Sequence, residues 1–328
     1  MGHSLRQLRR GATQFAVREV IRATAPLPLD MQRAAMRSFV ALGSHVPTLR
    51  HKVRDNMRLA LGADVPAQAT RLYFRHVGWF WSNALATFNR GFAMTPIPAE
   101  VRFDASISVL DEAVAERRGV VLTSAHWSGH ELAGAAINAR HPMAMVVRQA
   151  PTSEREARKL KWYRALGVDI VLRPKGASSI KDAVAYLNVL KRKQTIAITP
   201  DLLADPGQGV ETRIFGREAR LHAGAFALSI MAGAPQVRLS FRWQPDSTLV
   251  LMFDRAPAPN VNDRAAAIRM CVQDWCRWFE ERLRANPENW LFWLDRRWSH
   301  FLRTVPQTAP QSFPPSFPQT FPQTRGTA

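Results

Sequence analysis

The stretch Val120-Val121-Leu122-Thr123-Ser124-Ala125-His126-Trp127-Ser128-Gly129-His130-Glu131 contains a strand, a turn and the start of a helix. Its first four residues are uncharged and mostly β-branched, which favours a short buried strand. The Ala-rich run from Glu131 to Ala139 then reads as a helix. The same alternation continues on both sides. Helical patterning covers Val109 to Arg117 and ends at Gly119, and Met143 to Val147 is a second strand. A helix from Glu154 to Leu166 stops at Gly167, before a third strand from Val168 to Leu172. Ser178 to Arg192 is helical and Thr195 to Thr199 is a fourth strand. Short apolar strands alternating with helices predict an α/β fold, a central mostly parallel sheet flanked by helices. Gln236 to Trp243 and Thr248 to Phe253 follow each other with no helix between, so they are expected to pair antiparallel. A last helix is expected from Asn262 to Ala285.

Outside this core the composition changes. Residues 1–60 carry eleven Arg or Lys against Glu19, Asp30 and Asp55. Phe15, Val17, Val20 and Ile21, then Met31, Ala35, Met36, Phe39 and Val40, recur among those charges at helical spacing. Such basic amphipathic helices either pack on a core or lie in a membrane interface. A second helical run, Ala67 to Asn89, holds Trp79, Phe80 and Trp81 together. The tail after Val305 repeats Pro, Gln, Ser, Thr and Phe and is read as disordered. The expected organisation is a basic helical, membrane-facing N-terminal region (1–100), an α/β core with a C-terminal helix (101–304), and the tail (305–328).

The chain has 328 residues, 45 Lys or Arg against 26 Asp or Glu, a formal net charge of +19. That excess points to an anionic partner: nucleic acid, an acidic membrane face or an acidic carrier protein. Two cysteines, Cys271 and Cys276, exclude a disulfide framework or a Cys-based zinc site. Arg18, Glu19 and Arg22 interrupt any signal-peptide core, and no run reaches the roughly 18 apolar residues of a spanning helix. Any membrane contact is therefore expected to be peripheral.

Chemistry is expected at the strand-to-helix turn, because ligands of parallel sheets bind beyond the carboxyl ends of the strands. With His126 in the turn and Glu131 in the first helical turn, the carboxylate can reach back to the imidazole. That contact would fix the ring's tautomer and leave its other nitrogen as a base. Other uses of the same residues stay open. Ser128-x-x-Glu131 is a capping box, so Glu131 has a purely structural alternative. His126 and His130 are four apart, but no third metal ligand is evident. Ser128 sits at an elbow where His126 and His130 replace the glycines of a hydrolase nucleophile motif.

The company of His126-x4-Glu131 is more specific. Val147-Arg148 with Pro151, Gly167 to Arg173, Pro200-Asp201, Gly209-Val210, Phe215-Gly216 and Gly224 follow it in order. Asn286-Pro287-Glu288-Asn289-Trp290-Leu291 and Leu294-Asp295-Arg296-Arg297-Trp298 close the series, and Arg50-x3-Arg54-x-Asn56 precedes it. Over about residues 10–303 the chain resembles the bacterial lipid A biosynthesis (lauroyl/myristoyl) acyltransferases, within the glycerolipid acyltransferases with a His-x4-Asp/Glu motif. It departs from them at Leu202-Leu203, Leu221-His222 and Asp295.

The resemblance implies transfer of an acyl chain from a thioester, on acyl carrier protein or CoA, to a hydroxyl of a membrane lipid, a lipid A precursor. His126 would be the general base and Glu131 its orienting carboxylate, with no metal or other cofactor required. Arg148 and Arg173 would hold phosphate, Asp201 would orient an arginine or the acceptor, and Phe215 would line an apolar site. The expected location is the cytoplasmic face of the bacterial inner membrane. Transfer to another phospholipid or glycolipid is the neighbouring alternative. A non-catalytic basic protein binding membrane or nucleic acid is the remote one, and no helix-turn-helix, zinc finger or ribonucleoprotein motif supports nucleic acid.

Overall fold

The computed structural model describes Glu19 and residues 22–89, 101–174, 180–259 and 262–307. The expected helix through Phe15, Val17, Val20 and Ile21 and the tail beyond Gln307 lie outside the described residues.

Three helices come first: α1 (Leu29–Gly43), α2 (Pro47–Leu61) and α3 (Ala69–Asn89). The core follows as β1 (Val101–Phe103), α4 (Ile107–Ala115), β2 (Val120–Thr123), α5 (His130–Arg140), β3 (Met143–Arg148), α6 (Ser153–Ala165), β4 (Asp169–Arg173), α7 (Ile180–Lys191) and β5 (Thr195–Ile198). Then come β6 (Val210–Ile214), β7 (Arg217–Leu221), α8 (Gly224–Ala232), β8 (Gln236–Trp243), β9 (Leu249–Arg255) and α9 (Arg264–Ala285). Two short 3-10 turns, Pro287–Asn289 and Leu291–Leu294, lead into α10 (Arg296–Thr304).

The sheet has seven strands in the order β1-β9-β8-β2-β5-β3-β4. Every pairing is parallel except β8 with β9. The α/β fold class and the antiparallel pair are as the sequence predicts. All four β2 residues are buried, which explains why that strand reads as a continuous apolar run rather than an alternating one. Gly119 ends the turn before β2 at φ +72°, and a Cβ there would stand 2.8 Å from the Leu190 Cα and carbonyl oxygen. The chain can therefore start the central strand only against α7 and only with glycine.

Two elements on the far side of β5 were not legible. β6 and β7 form an antiparallel hairpin whose two turn residues, Phe215 and Gly216, both have positive φ. Two positive φ values are what a two-residue hairpin loop of type I′ requires. The Arg217 guanidinium, buried behind it, donates to the carbonyls of Leu59 (2.8 Å), Phe215 (2.9 Å) and Val305 (2.9 Å). One side chain thereby ties α2, the hairpin and the C-terminal segment together.

Candidate active site

The site forms where β2 and β5 end side by side. Thr123 pairs with Ile198, so the third residue past each strand, His126 and Asp201, meet above the sheet. Asp201 accepts a hydrogen bond from the His126 main-chain N–H on Oδ2 (2.8 Å) and lies 2.7 Å from the imidazole Nδ1 on Oδ1. Trp290 Nε1–H donates to the same carboxylate (2.9 Å), and Trp298 Nε1–H donates to the Asp201 carbonyl (3.1 Å). Asp201 has no solvent exposure. Burial alone would raise its pKa, but His126 and the donated hydrogen bonds outweigh it and hold the carboxyl below its usual range. A carboxylate that accepts from Nδ1 puts the ring's proton on that nitrogen and leaves Nε2 as the basic atom.

The surroundings fix the ring in other ways. The imidazole stacks on Phe292 at 4.3 Å between ring centres, and the His126 carbonyl accepts from the Leu291 N–H (2.9 Å). The 3-10 segment that carries these groups is pinned in turn. Asn56, fully buried, donates to the Trp293 carbonyl (2.7 Å) and to Ser299 Oγ (2.9 Å). Asp295 caps α10 through the Arg297 and Trp298 N–H groups.

Glu131 is in the same cavity but not on the same imidazole. Its Oε1 faces His130 Nε2 at 3.7 Å, and its Oε2 is buried without a hydrogen-bond partner. The expected Glu131-to-His126 contact is thus replaced by Asp201, because the β2–β5 neighbourhood brings that carboxylate to Nδ1 first. The capping box does not form either. Gly129 is the N-cap of α5 at φ 112°, with no side-chain cap. Ser128 is buried instead, its Oγ accepting from Trp243 Nε1–H at 3.0 Å, which takes it out of any nucleophile's position.

A cavity of about 310 Å³ opens beside His126, with His130, Glu131, Lys159, Arg148 and Arg173 among its polar lining. Arg148 and Arg173 end β3 and β4 in register, next to each other. Lys159 Nζ donates to the Arg148 carbonyl (2.6 Å). His222 lies close by: burial lowers its pKa first, then Arg173, with Arg297 and Arg148 adding to it and Asp205 opposing. Phe215 does not reach this cavity. It is 1% exposed and packs on Phe279, Trp290 and Trp298, beneath the tryptophans that hold Asp201. Its expected place in an apolar substrate site is corrected to one in the core, because its turn folds inward over α9. Asp201 was expected to orient an arginine or the acceptor, and it orients His126. Among the described residues no group of three His, Cys, Asp or Glu side chains is arranged to hold a metal ion.

With the geometry established, the relationship to known proteins is decisive. The family model for bacterial lipid A biosynthesis acyltransferases matches residues 2–300. The chain belongs to that family. A comparison with curated proteins finds no match. Family membership makes the protein an acyltransferase of lipid A biosynthesis, a class that uses an acyl thioester donor and a lipid acceptor at a bacterial membrane. No helix among the described residues is long and apolar enough to cross a membrane.

The site's scaffold carries its own pH dependence. His76 on α3 donates from Nδ1 to Asn289 Oδ1 (2.9 Å), and Asn289 Nδ2 donates to the Phe241 carbonyl (2.8 Å). Burial lowers the His76 pKa to about 4, the Asn289 bond opposing and Arg75 assisting. The folded value lies below the unfolded one, so this contribution is complete above about pH 6.5 and is lost as pH falls toward 4. The expected loss from this group is on the order of 3 kcal/mol, spread over that window. Urea unfolding at a series of pH values should show the parent losing stability between pH 7 and 4 more steeply than His76→Gln. Parallel curves would remove His76 as the cause.

Proposed function

We propose that the cavity beside His126 is where an acyl thioester meets a lipid hydroxyl, with the lipid A precursor as acceptor and acyl carrier protein as donor. The observation that carries this reading is the buried Asp201 carboxylate on His126 Nδ1, which frees Nε2 as a base at the rim of a cavity. His126 Nε2 takes the proton of the acceptor hydroxyl as its oxygen attacks the thioester carbonyl. The new C–O bond forms, the C–S bond breaks, and the leaving thiolate regains a proton from the imidazolium. Asp201 stabilises that imidazolium without taking the proton, as in other oriented-histidine sites. Glu131, 16% exposed in the cavity wall with one unpartnered oxygen, has a free acceptor for a hydroxyl or amide of the substrate. It is assigned there to positioning the acceptor.

The three side chains separate in kinetics. His126→Ala should lower kcat by about 10²–10⁴, the usual contribution of a general base. Asp201→Asn should fall in the same range, and the double variant should lose little more because the pair acts as a unit. Glu131→Gln should lose less and should raise KM for the acceptor. A Glu131→Gln enzyme as slow as His126→Ala, beside an Asp201→Asn enzyme of parental rate, would return the orienting role to Glu131.

Arg148 and Arg173 suit a phosphate, because a planar guanidinium fork grips its oxygens in pairs. Each alanine variant should cost about 1.5–3 kcal/mol in kcat/KM, and lysine should rescue in part. If the phosphate belongs to the lipid, only the acceptor KM rises. If it belongs to the carrier's pantetheine arm, only the donor KM rises. Parental constants for both substrates in both variants would remove these residues from the site.

The peripheral membrane reading rests on α1. Its outer face presents Met31, Phe39 and Leu42, each more than half exposed, while Gln32 is buried and Arg37 turns inward to Ser82 Oγ (3.4 Å). Apolar side chains outward and polar ones inward suit a lipid interface, and nearby basic side chains add roughly 1 kcal/mol each on an anionic surface. Flotation with anionic vesicles should carry the parent and lose the double variant Phe39→Glu/Leu42→Glu. Equal flotation of both would dismiss α1 as the contact.

A further inference from the structure

His126, Arg148 and Arg173 stand at the carboxyl ends of the strands that the cavity follows. His126 lies past the carboxyl end of β2, and Arg148 is the last residue of β3. From there the lining becomes apolar toward the start of β3, with Met145, Met143, Ile137, Leu122 and Leu239 around it and Gly134 of α5 in its wall. Those five side chains are all buried, and none offers a hydrogen-bonding group stronger than a thioether. An apolar limb leading away from a catalytic base fits a hydrocarbon chain, not a sugar or a phosphate.

Two methionines stand among the apolar lining at the start of β3. The two methionine side chains lean over Gly134: a Cβ built on that glycine would stand 2.7 Å from Met145 Sδ and 3.4 Å from Met143 Cε. Gly134 thus supplies the space in which both methionines lie. Met143 opens β3 and Arg148 closes it, five residue steps apart, so a chain lying along the strand between them would cover about 16 Å at about 3.3 Å per step. An extended alkyl chain advances about 1.25 Å per carbon, from a bond of about 1.5 Å and an angle of about 111°. A chain reaching from Arg148 to Met143 would therefore hold roughly a dozen carbons.

We infer that this limb takes the donor's acyl chain and that Met143 and Met145, seated over Gly134, set the longest chain accepted. The inference deepens the acyl-transfer reading above and rests on it for the direction of the chain. Methionine suits a stop of this kind, since its unbranched thioether adapts to a flexible ligand more readily than an aromatic ring would. Two substitutions move the stop in opposite directions. Gly134→Ala is compatible with its helix and forces the Met145 sulfur into the limb. Met143→Ala removes the terminal side chain and lengthens it.

The test uses the full chain with two readouts. One is acyl transfer in a mixture of acyl carrier protein thioesters with chains of eight to eighteen carbons, the products resolved by mass spectrometry. The other is calorimetric binding of acyl-pantetheine thioethers of the same lengths, which cannot be turned over. The preferred length should fall by two or more carbons in Gly134→Ala and rise by two or more in Met143→Ala. Affinity should change about fourfold per methylene gained or lost up to the stop. Should Met143→Ala fail to fold, Met143→Val makes the same change with a smaller void. Unchanged length preference in folded variants, in either readout, overturns the inference. Thioether binding with a shifted optimum but no transfer by the parent would instead overturn the acyl-transfer reading and leave the length stop standing.

Discussion

The buried carboxylate of Asp201 is the constraint on which the site depends. A charge with no solvent exposure is tolerable only when hydrogen bonds replace water, and here the His126 main chain, its imidazole and Trp290 supply them. Meeting that requirement brings together segments from across the chain. The turn after β2, the end of β5, the 3-10 segment and α10 all converge on one residue. The aromatic cluster beneath, Phe215, Phe279, Trp290 and Trp298, keeps water out and holds the indole donors in place. An inert-looking core and a reactive histidine are thereby parts of one construction.

The strands were legible where the chain is buried on both faces. β2, β3 and β5 are nearly continuous apolar runs and β8 alternates Val237, Leu239, Phe241 and Trp243 with polar residues, and the boundaries of all four agree with the sequence reading to within a residue or so. β1 was not legible because Val-Arg-Phe is three residues of ordinary surface pattern. The β6–β7 hairpin was not, because the charged Arg217 takes an inward position in its alternation and Phe215 stands where turn chemistry favours Asn or Gly. His126 and the cavity position of Glu131 could be read from their spacing after a strand. The Asp201 contact could not, since the two residues are 75 positions apart and only the order of strands puts β5 beside β2. A Pro-Asp at the end of one apolar strand and a histidine after another was the available signal, and strand order was the missing term.

On the proposed reading, three environments around the cavity divide the substrate among them. His126 lies at one end, arginines at the ends of β3 and β4 offer charge, and apolar side chains of β2, β3 and α5 line the rest. The net charge of +19 favours approach to anionic partners of any kind. On α1, Met31, Phe39 and Leu42 stand exposed at helical spacing, the feature on which the proposed membrane contact rests.

The tautomer of His126 is the most direct test of this construction. In protein labelled with ¹⁵N-histidine, the Nδ1 proton of His126 should give a low-field resonance, split by its nitrogen and protected from exchange. It should vanish in Asp201→Asn and persist in Glu131→Gln. Loss of that resonance in Glu131→Gln, with its retention in Asp201→Asn, would contradict the Asp201–His126 pairing from which the mechanism is built.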